Sequence, residues 1–191
     1  QRQMCIRDRP IAERKSRIIE NIGLKEFALA TVHRAENVDN IEVLRNFIKV
    51  FTKCYVPVVL VAHPRTLDRL KRFGLYKQIN ESPNVKLLSP LGYFDFLVLM
   101  KNCLFIMTDS GGIQEEATSP NIRKYVFVLR KSTERPEAVD AGFAKVVGTN
   151  ADWILHEVKN FPSMTAIQNA SPYGDGRASE RIVKIINNKT T

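Results

Sequence analysis

Three short polar clusters, each following an apolar run, hold the residue types that bind and move charge. The first, Thr31-Val-His-Arg-Ala-Glu-Asn, gathers His33, Arg34, Glu36 and Asn37 within five positions. Histidine can transfer protons near neutrality and arginine can grip a phosphate or carboxylate with two N–H groups. The second is Thr108-Asp-Ser-Gly-Gly-Ile-Gln-Glu-Glu-Ala, at the opening of a helical pattern. Ser110, Gly111 and Gly112 there would present backbone N–H groups at a helix N-terminus with no side chain in the way, which suits a phosphate or pyrophosphate. The segment is neither a G-x-G-x-x-G nor a P-loop. Its bland alternative is an N-cap on a glycine turn, with Glu115 and Glu116 merely favouring the helix dipole.

The third cluster, Ser132-Thr-Glu-Arg-Pro-Glu, sets Arg135 just before Pro136, a residue that fixes the entry geometry of a helix. Arg135 can serve there as an anion clamp; the alternative is a capped helix with solvated charges. His63-Pro-Arg-Thr ends another apolar run in the same way, although Pro64 and Thr66 also make an ordinary strand-to-helix turn. Helix-end amides, two arginines and a histidine together favour an anionic, phosphorylated ligand. Neither a Ser-His-Asp pattern nor a metal-ligand spacing is present, so no metal site is expected.

The elements that must position these clusters are short. Apolar runs at 27–32, 57–62, 85–88, 104–108, 125–129 and 144–147 are rich in branched and aromatic residues, with Lys86 and Lys145 their only charges. Such runs suit strands buried on both faces of a parallel sheet. Between them, 41–55, 67–73, 94–102, 113–119 and 136–141 can each hold at least part of a crossover helix, with Ile41, Leu44, Ile48 and Phe51 spaced along one face. Further helices are expected at 152–160, 163–169 and, after the break Ser171-Pro-Tyr-Gly-Asp-Gly-Arg, at 178–187. The alternation predicts an α/β fold: a Rossmann-like, doubly wound parallel sheet with right-handed crossovers. Such sheets bind ligands at the carboxyl ends of their strands, where all the clusters fall.

Composition agrees. The chain has 191 residues, 44% apolar and 26% charged, as in globular proteins. No apolar run approaches the roughly 20 residues that span a bilayer. The net charge of +9 sits mostly at the ends: residues 1–17 contribute +4 and residues 177–191 contribute +3. A nucleic-acid-binding face would carry its charge on the folded body, so no nucleic-acid partner is expected, and no membrane. Cys5, Cys54 and Cys103 form no C-x-x-C pair; Cys54 and Cys103 read as buried hydrophobes, consistent with a reducing cytoplasm. Residues 1–9 show no periodicity and read as a leader foreign to the fold.

The ordered set His33-Arg-x-Glu-Asn, His63-Pro, Thr108-Asp-Ser-Gly-Gly-Ile-Gln-Glu-Glu-Ala, Thr133-Glu-Arg-Pro-Glu-Ala, Gly148-Thr and Pro172-Tyr-Gly-Asp-Gly resembles the C-terminal half of the non-hydrolysing UDP-N-acetylglucosamine 2-epimerases. The resemblance runs from about residue 13 to 188. It implies one half, the C-terminal domain, of a two-domain GT-B fold that holds a UDP-sugar in the interdomain cleft. It further implies His33 as an active-site histidine beside the sugar-diphosphate. Leu91 (through its backbone) and Phe96 would then meet the uracil, Ser110, Gly111 and Gly112 the diphosphate, and Glu116 the ribose hydroxyls, with Arg135 the neighbouring arginine. In this family UDP is eliminated to give a 2-acetamidoglucal and added back with C2 inverted, without metal or nicotinamide cofactor; the carboxylates that shuttle the C2 proton belong to the N-terminal domain. Residues 10–191 are therefore expected to be a UDP-binding domain that is catalytically incomplete alone. Its final helix, within 177–191, would pack on that other domain or on a second copy, and a homo-oligomer is expected. A GT-B glycosyltransferase and a non-catalytic nucleotide-sugar sensor remain alternatives.

Overall fold

Each of the six apolar runs forms a strand in the computed structural model, which describes residues 16–161, 169–175 and 177–188. The strands are β1 (Ala28–Thr31), β2 (Val58–Val61), β3 (Val85–Leu88), β4 (Ile106–Thr108), β5 (Val126–Val128) and β6 (Ala144–Val146). All pair in parallel in the order β3-β2-β1-β4-β5-β6, the doubly wound arrangement. In the two central pairings Leu29 lies opposite Val59 and Ile106, and Thr31 opposite Thr108.

The side-chain period of two, with a core on each face of the sheet, explains why the central strands are almost wholly apolar. Ala28, Ala30, Val58, Leu60, Phe105, Met107 and Phe127 enter one core, while Leu29, Val59, Val61, Ile106, Val126 and Val128 enter another on the opposite face. Helices α3 (Ile41–Lys53), α4 (Pro64–Arg72), α5 (Tyr76–Asn80) and α9 (Ala151–Lys159) supply the first core; α1 (Ile18–Ile22), α6 (Tyr93–Asn102), α7 (Gly111–Ala117) and α8 (Pro136–Asp140) supply the second. Helix α3 buries Leu44, Phe47, Ile48, Val50 and Phe51. Phe105, Tyr125, Phe127 and Phe161 meet edge-on or tilted at centroid distances of 4.6–6.1 Å.

The sequence reading needs correction at the sheet edges and at the short helices. Burial on both faces holds for β1, β2, β4 and β5, but β3 and β6 are edge strands whose Lys86 and Lys145 are exposed, which is how a sheet edge tolerates charge. Helices α1, α5 and α2 (Ala35–Val38) are too short to show a helical period in sequence. Helix α4 begins at Pro64 rather than near Leu67, because His63 caps it by accepting the Arg65 amide on Nδ1 at 3.2 Å. The segment 163–169 lies, apart from Asn169, outside the described residues, as does 1–9.

Helix α10 (Ala178–Asn188) follows a turn in which Gly174 takes φ +87°. Its Ile182, Val183, Ile185 and Ile186 are 56–60% exposed. No helix among the described residues is long and apolar enough to cross a membrane.

Candidate functional site

The sheet order reverses between β1 and β4. The chain leaving β1 turns to α2 and α3 on one face, and the chain leaving β4 turns to α7 on the other, which opens a crevice at their carboxyl ends. Two of the sequence-predicted clusters line it. Asp109, directly after β4, holds them together: its fully buried carboxylate accepts from the backbone amides of His33 (3.0 Å) and Arg34 (2.9 Å) and from Asn37 Nδ2 (3.0 Å). Asn37 Nδ2 also donates to Leu129 O at 3.0 Å, so one buried amide joins the rims of β1, β4 and β5. Burial alone would push the Asp109 carboxyl up, but the hydrogen bonds from His33, Asn37 and the Arg34 amide together hold it below the usual carboxylate range.

Helix α7 starts at Gly111 after the N-cap Ser110, so the amides that a helix leaves without internal partners are those of Ser110, Gly111, Gly112 and Ile113. The Ser110 amide is already taken by Thr108 Oγ1 at 3.0 Å, which corrects the expectation of three free amides. Glu115 and Glu116 lie in the later part of α7, not its first turn, so the dipole-favouring alternative falls away. Glu115 instead pairs with Arg135 Nε.

The cluster after β5 is fixed by α7. The fully buried Gln114 accepts from Thr133 Oγ1 at 2.6 Å and donates to Ser110 O at 3.2 Å, while Thr133 Oγ1 accepts the Arg135 amide at 3.0 Å. Arg135 thereby lies over the head of α7: a Cβ added to Gly111 would sit 3.8 Å from both Cγ and Cζ of Arg135. Glu134 takes a two-pronged contact from Arg34 (3.1 and 3.3 Å) and a third from Arg130, which also reaches Glu36 at 2.8 Å. The arginines hold Glu134 below its ordinary value. Beside this network opens a pocket of about 390 Å³ lined in part by Asn37, Arg130, Lys131, Ser132 and Thr149.

Thus His33, Ser110, Gly111, Gly112 and Arg135 meet at one crevice. Glu116 follows along α7, half-exposed, and Leu91 and Phe96 pack half-buried against the same core face as Ile113 of α7. His63 belongs to the same rim, with its ring centroid 5.5 Å from that of His33. Sequence reasoning missed the central places of Asp109 and Gln114. Asp109 stands first past an expected strand, but the reversal of sheet order that makes its position central is a property of the fold. Cys54 and Cys103 are buried thiols, as read, and burial pushes the Cys103 thiol up to about 12. Among the described residues no group of three or more His, Cys, Asp or Glu could hold a metal ion.

The sequence and the fold both match known proteins. The family profile described as UDP-N-acetylglucosamine 2-epimerase matches residues 3–187. The UDP-N-acetylglucosamine 2-epimerase of Methanocaldococcus jannaschii is 38% identical over 169 residues, and that of Bacillus subtilis 37% identical over 176. These matches cover 84% and 87% of this chain but only 44% and 45% of the relatives. The chain spans about half the length of the curated relatives it matches. The crystal structure of the M. jannaschii enzyme in complex with UDP-GlcNAc and UDP superposes with a TM-score of 0.82 at 35% identity, over 97% of this chain and 52% of that one. The Neisseria meningitidis enzyme bound to UDP-GlcNAc gives 0.76 at 30% identity, over 96% and 51%. The Rossmann-like sheet is thus one half of the two-domain GT-B architecture, and the chain belongs to the UDP-N-acetylglucosamine 2-epimerase family.

Proposed function

We propose that this chain is the C-terminal, UDP-binding half of an enzyme that interconverts UDP-GlcNAc and UDP-ManNAc. The observation that carries the reading is the crevice at the β1/β4 reversal, where the glycine amides at the head of α7 and the Arg135 guanidinium face one space. Amides and a guanidinium complement a diphosphate. Leu91 and Phe96 would receive the uracil, Glu116 the ribose hydroxyls, and His33 the sugar end of the diphosphate. Relatives in solved structures bind UDP or UDP-GlcNAc, which supports this ligand.

The carboxylates nearest the crevice are engaged otherwise: Asp109 by amides and His33, Glu115 by Arg135, and Glu134 by Arg34 and Arg130. None is placed as a base for C2, so the chain alone binds nucleotide without epimerising it. It acts in the cytoplasm, where buried thiols stay reduced, and self-associates through the exposed apolar face of α10. Calorimetric titration with UDP, uridine and inorganic phosphate tests the site: saturable binding is expected with UDP, and much weaker binding with either part. Equal affinity for phosphate and UDP would reduce the crevice to a general anion site. In the full-length protein, UDP-GlcNAc without any acceptor should yield the C2 epimer, whereas a glycosyltransferase would leave it unchanged.

A further inference from the structure

Among the described residues Asp109 is the only charged side chain that is fully buried. A carboxylate out of water is costly unless donors fill its lone pairs, and here they fill them unequally. Oδ2 takes three: the amides of His33 and Arg34, and Asn37 Nδ2. Oδ1 accepts from the His33 amide at 3.1 Å and lies 3.3 Å from His33 Nδ1. An ionised carboxylate only accepts, so an imidazole nitrogen beside it completes the set as N–H. The other ring nitrogen of neutral His33 is then bare, on a side chain that remains 35% exposed at the rim. His63 takes the opposite tautomer: its Nδ1 accepts the Arg65 amide, so its own proton sits on Nε2.

We propose that Asp109 is the positioning residue for His33: it fixes the Nδ1–H tautomer and turns Nε2 toward the crevice as a proton-accepting atom. The choice decides what His33 can do. Bare Nε2 accepts a hydrogen bond or a proton from a ligand hydroxyl, and it donates to a diphosphate oxygen only after taking that proton. The charge of a diphosphate therefore falls to Arg135 and the α7 amides, and His33 serves as the group that gains and returns a proton. What Nε2 acts on rests on the UDP-sugar reading; the tautomer does not.

Long-range proton–nitrogen NMR spectra of the 191-residue chain, labelled in its three histidines, read the tautomer directly. His33→Gln identifies the His33 signals. In the unmodified chain His33 is expected as Nδ1–H at mildly basic pH. In Asp109→Asn, the amide oxygen takes the Oδ2 place facing three donors, which turns its NH2 toward His33 Nδ1 and inverts the ring to Nε2–H. A residue that merely held the loops together would not produce that inversion. Nε2–H in the unmodified chain overturns the proposal, as does persistent Nδ1–H in a folded Asp109→Asn. If that variant does not fold, the unmodified chain alone decides. No UDP is present in these samples, so failure here leaves the nucleotide site standing, and absent UDP binding leaves the tautomer result standing.

Discussion

Arg135 leans over the glycines at the head of α7 with Glu115 as its partner, and a diphosphate arriving there would compete for the same guanidinium. Arg135→Ala should weaken UDP binding by about 1–3 kcal/mol, the range of a hydrogen bond to a charged group. Lys184→Ala, on α10, should change almost nothing; equal losses in calorimetry would favour diffuse attraction over a site. Asp109 makes a different prediction. Its carboxyl is held low in the folded chain, so its stabilisation is complete above the ordinary aspartate value of about 3.9 and is lost as pH falls through the lower folded value. Urea unfolding between about pH 6 and about pH 3 should show a shallower acid loss in Asp109→Asn than in the unmodified chain; parallel curves would contradict this. His33, Ser110, Gly111, Gly112 and Arg135 were legible in the sequence because residue type and strand-end position agreed. Asp109 and Gln114 were not, because a polar residue inside a motif gives no sign of whether it faces ligand or core.

At the scale of elements, strand identity was readable because β1, β2, β4 and β5 are buried on both faces and so apolar at every position but the terminal Thr31 and Thr108. Most of the expected helix starts were also readable to within two residues, but α4 begins three residues before Leu67, since its cap His63 and first residue Pro64 lie outside the apolar period. The aromatic group under β4 and β5 should dominate stability. Phe127 is almost fully buried, with Phe105, Tyr125 and Phe161 at centroid distances of 5.2–5.5 Å. Phe127→Ala should cost about 3–5 kcal/mol in urea unfolding, and a loss below about 1 kcal/mol would show that the core refills the space. Helix α10 presents the opposite case, four large apolar side chains more than half exposed. A patch of this kind tends to be covered by a partner. Sedimentation should find the 191-residue chain self-associated and a chain truncated after Gly176 monomeric. Two monomers of equal thermal stability would mean that α10 needs no cover.

For the whole molecule, the doubly wound order does the organising. Because the sheet reverses between β1 and β4, loops that diverge to opposite faces still open onto one crevice, and Asp109, Asn37 and Gln114 lock its walls together. Fold class could be inferred from the sequence because apolar runs alternate with helical patterns, and the polar clusters at the strand ends led to the expectation of an anionic ligand. The packing of the rim could not, since contacts such as Asn37 with Leu129 and Thr133 with Gln114 join distant parts of the chain. The central claim is that this crevice holds UDP against the head of α7, and paired titrations of the unmodified chain and Gly111→Val test it most directly. A Cβ at Gly111 meets Glu134 and Arg135 at 3.7–3.8 Å, ordinary contact that the fold accepts, whereas the two methyl groups beyond it would occupy the space over the amides. We predict saturable UDP binding by the unmodified chain and none by a Gly111→Val chain of similar thermal stability; equal UDP affinity in the two folded proteins would contradict the account.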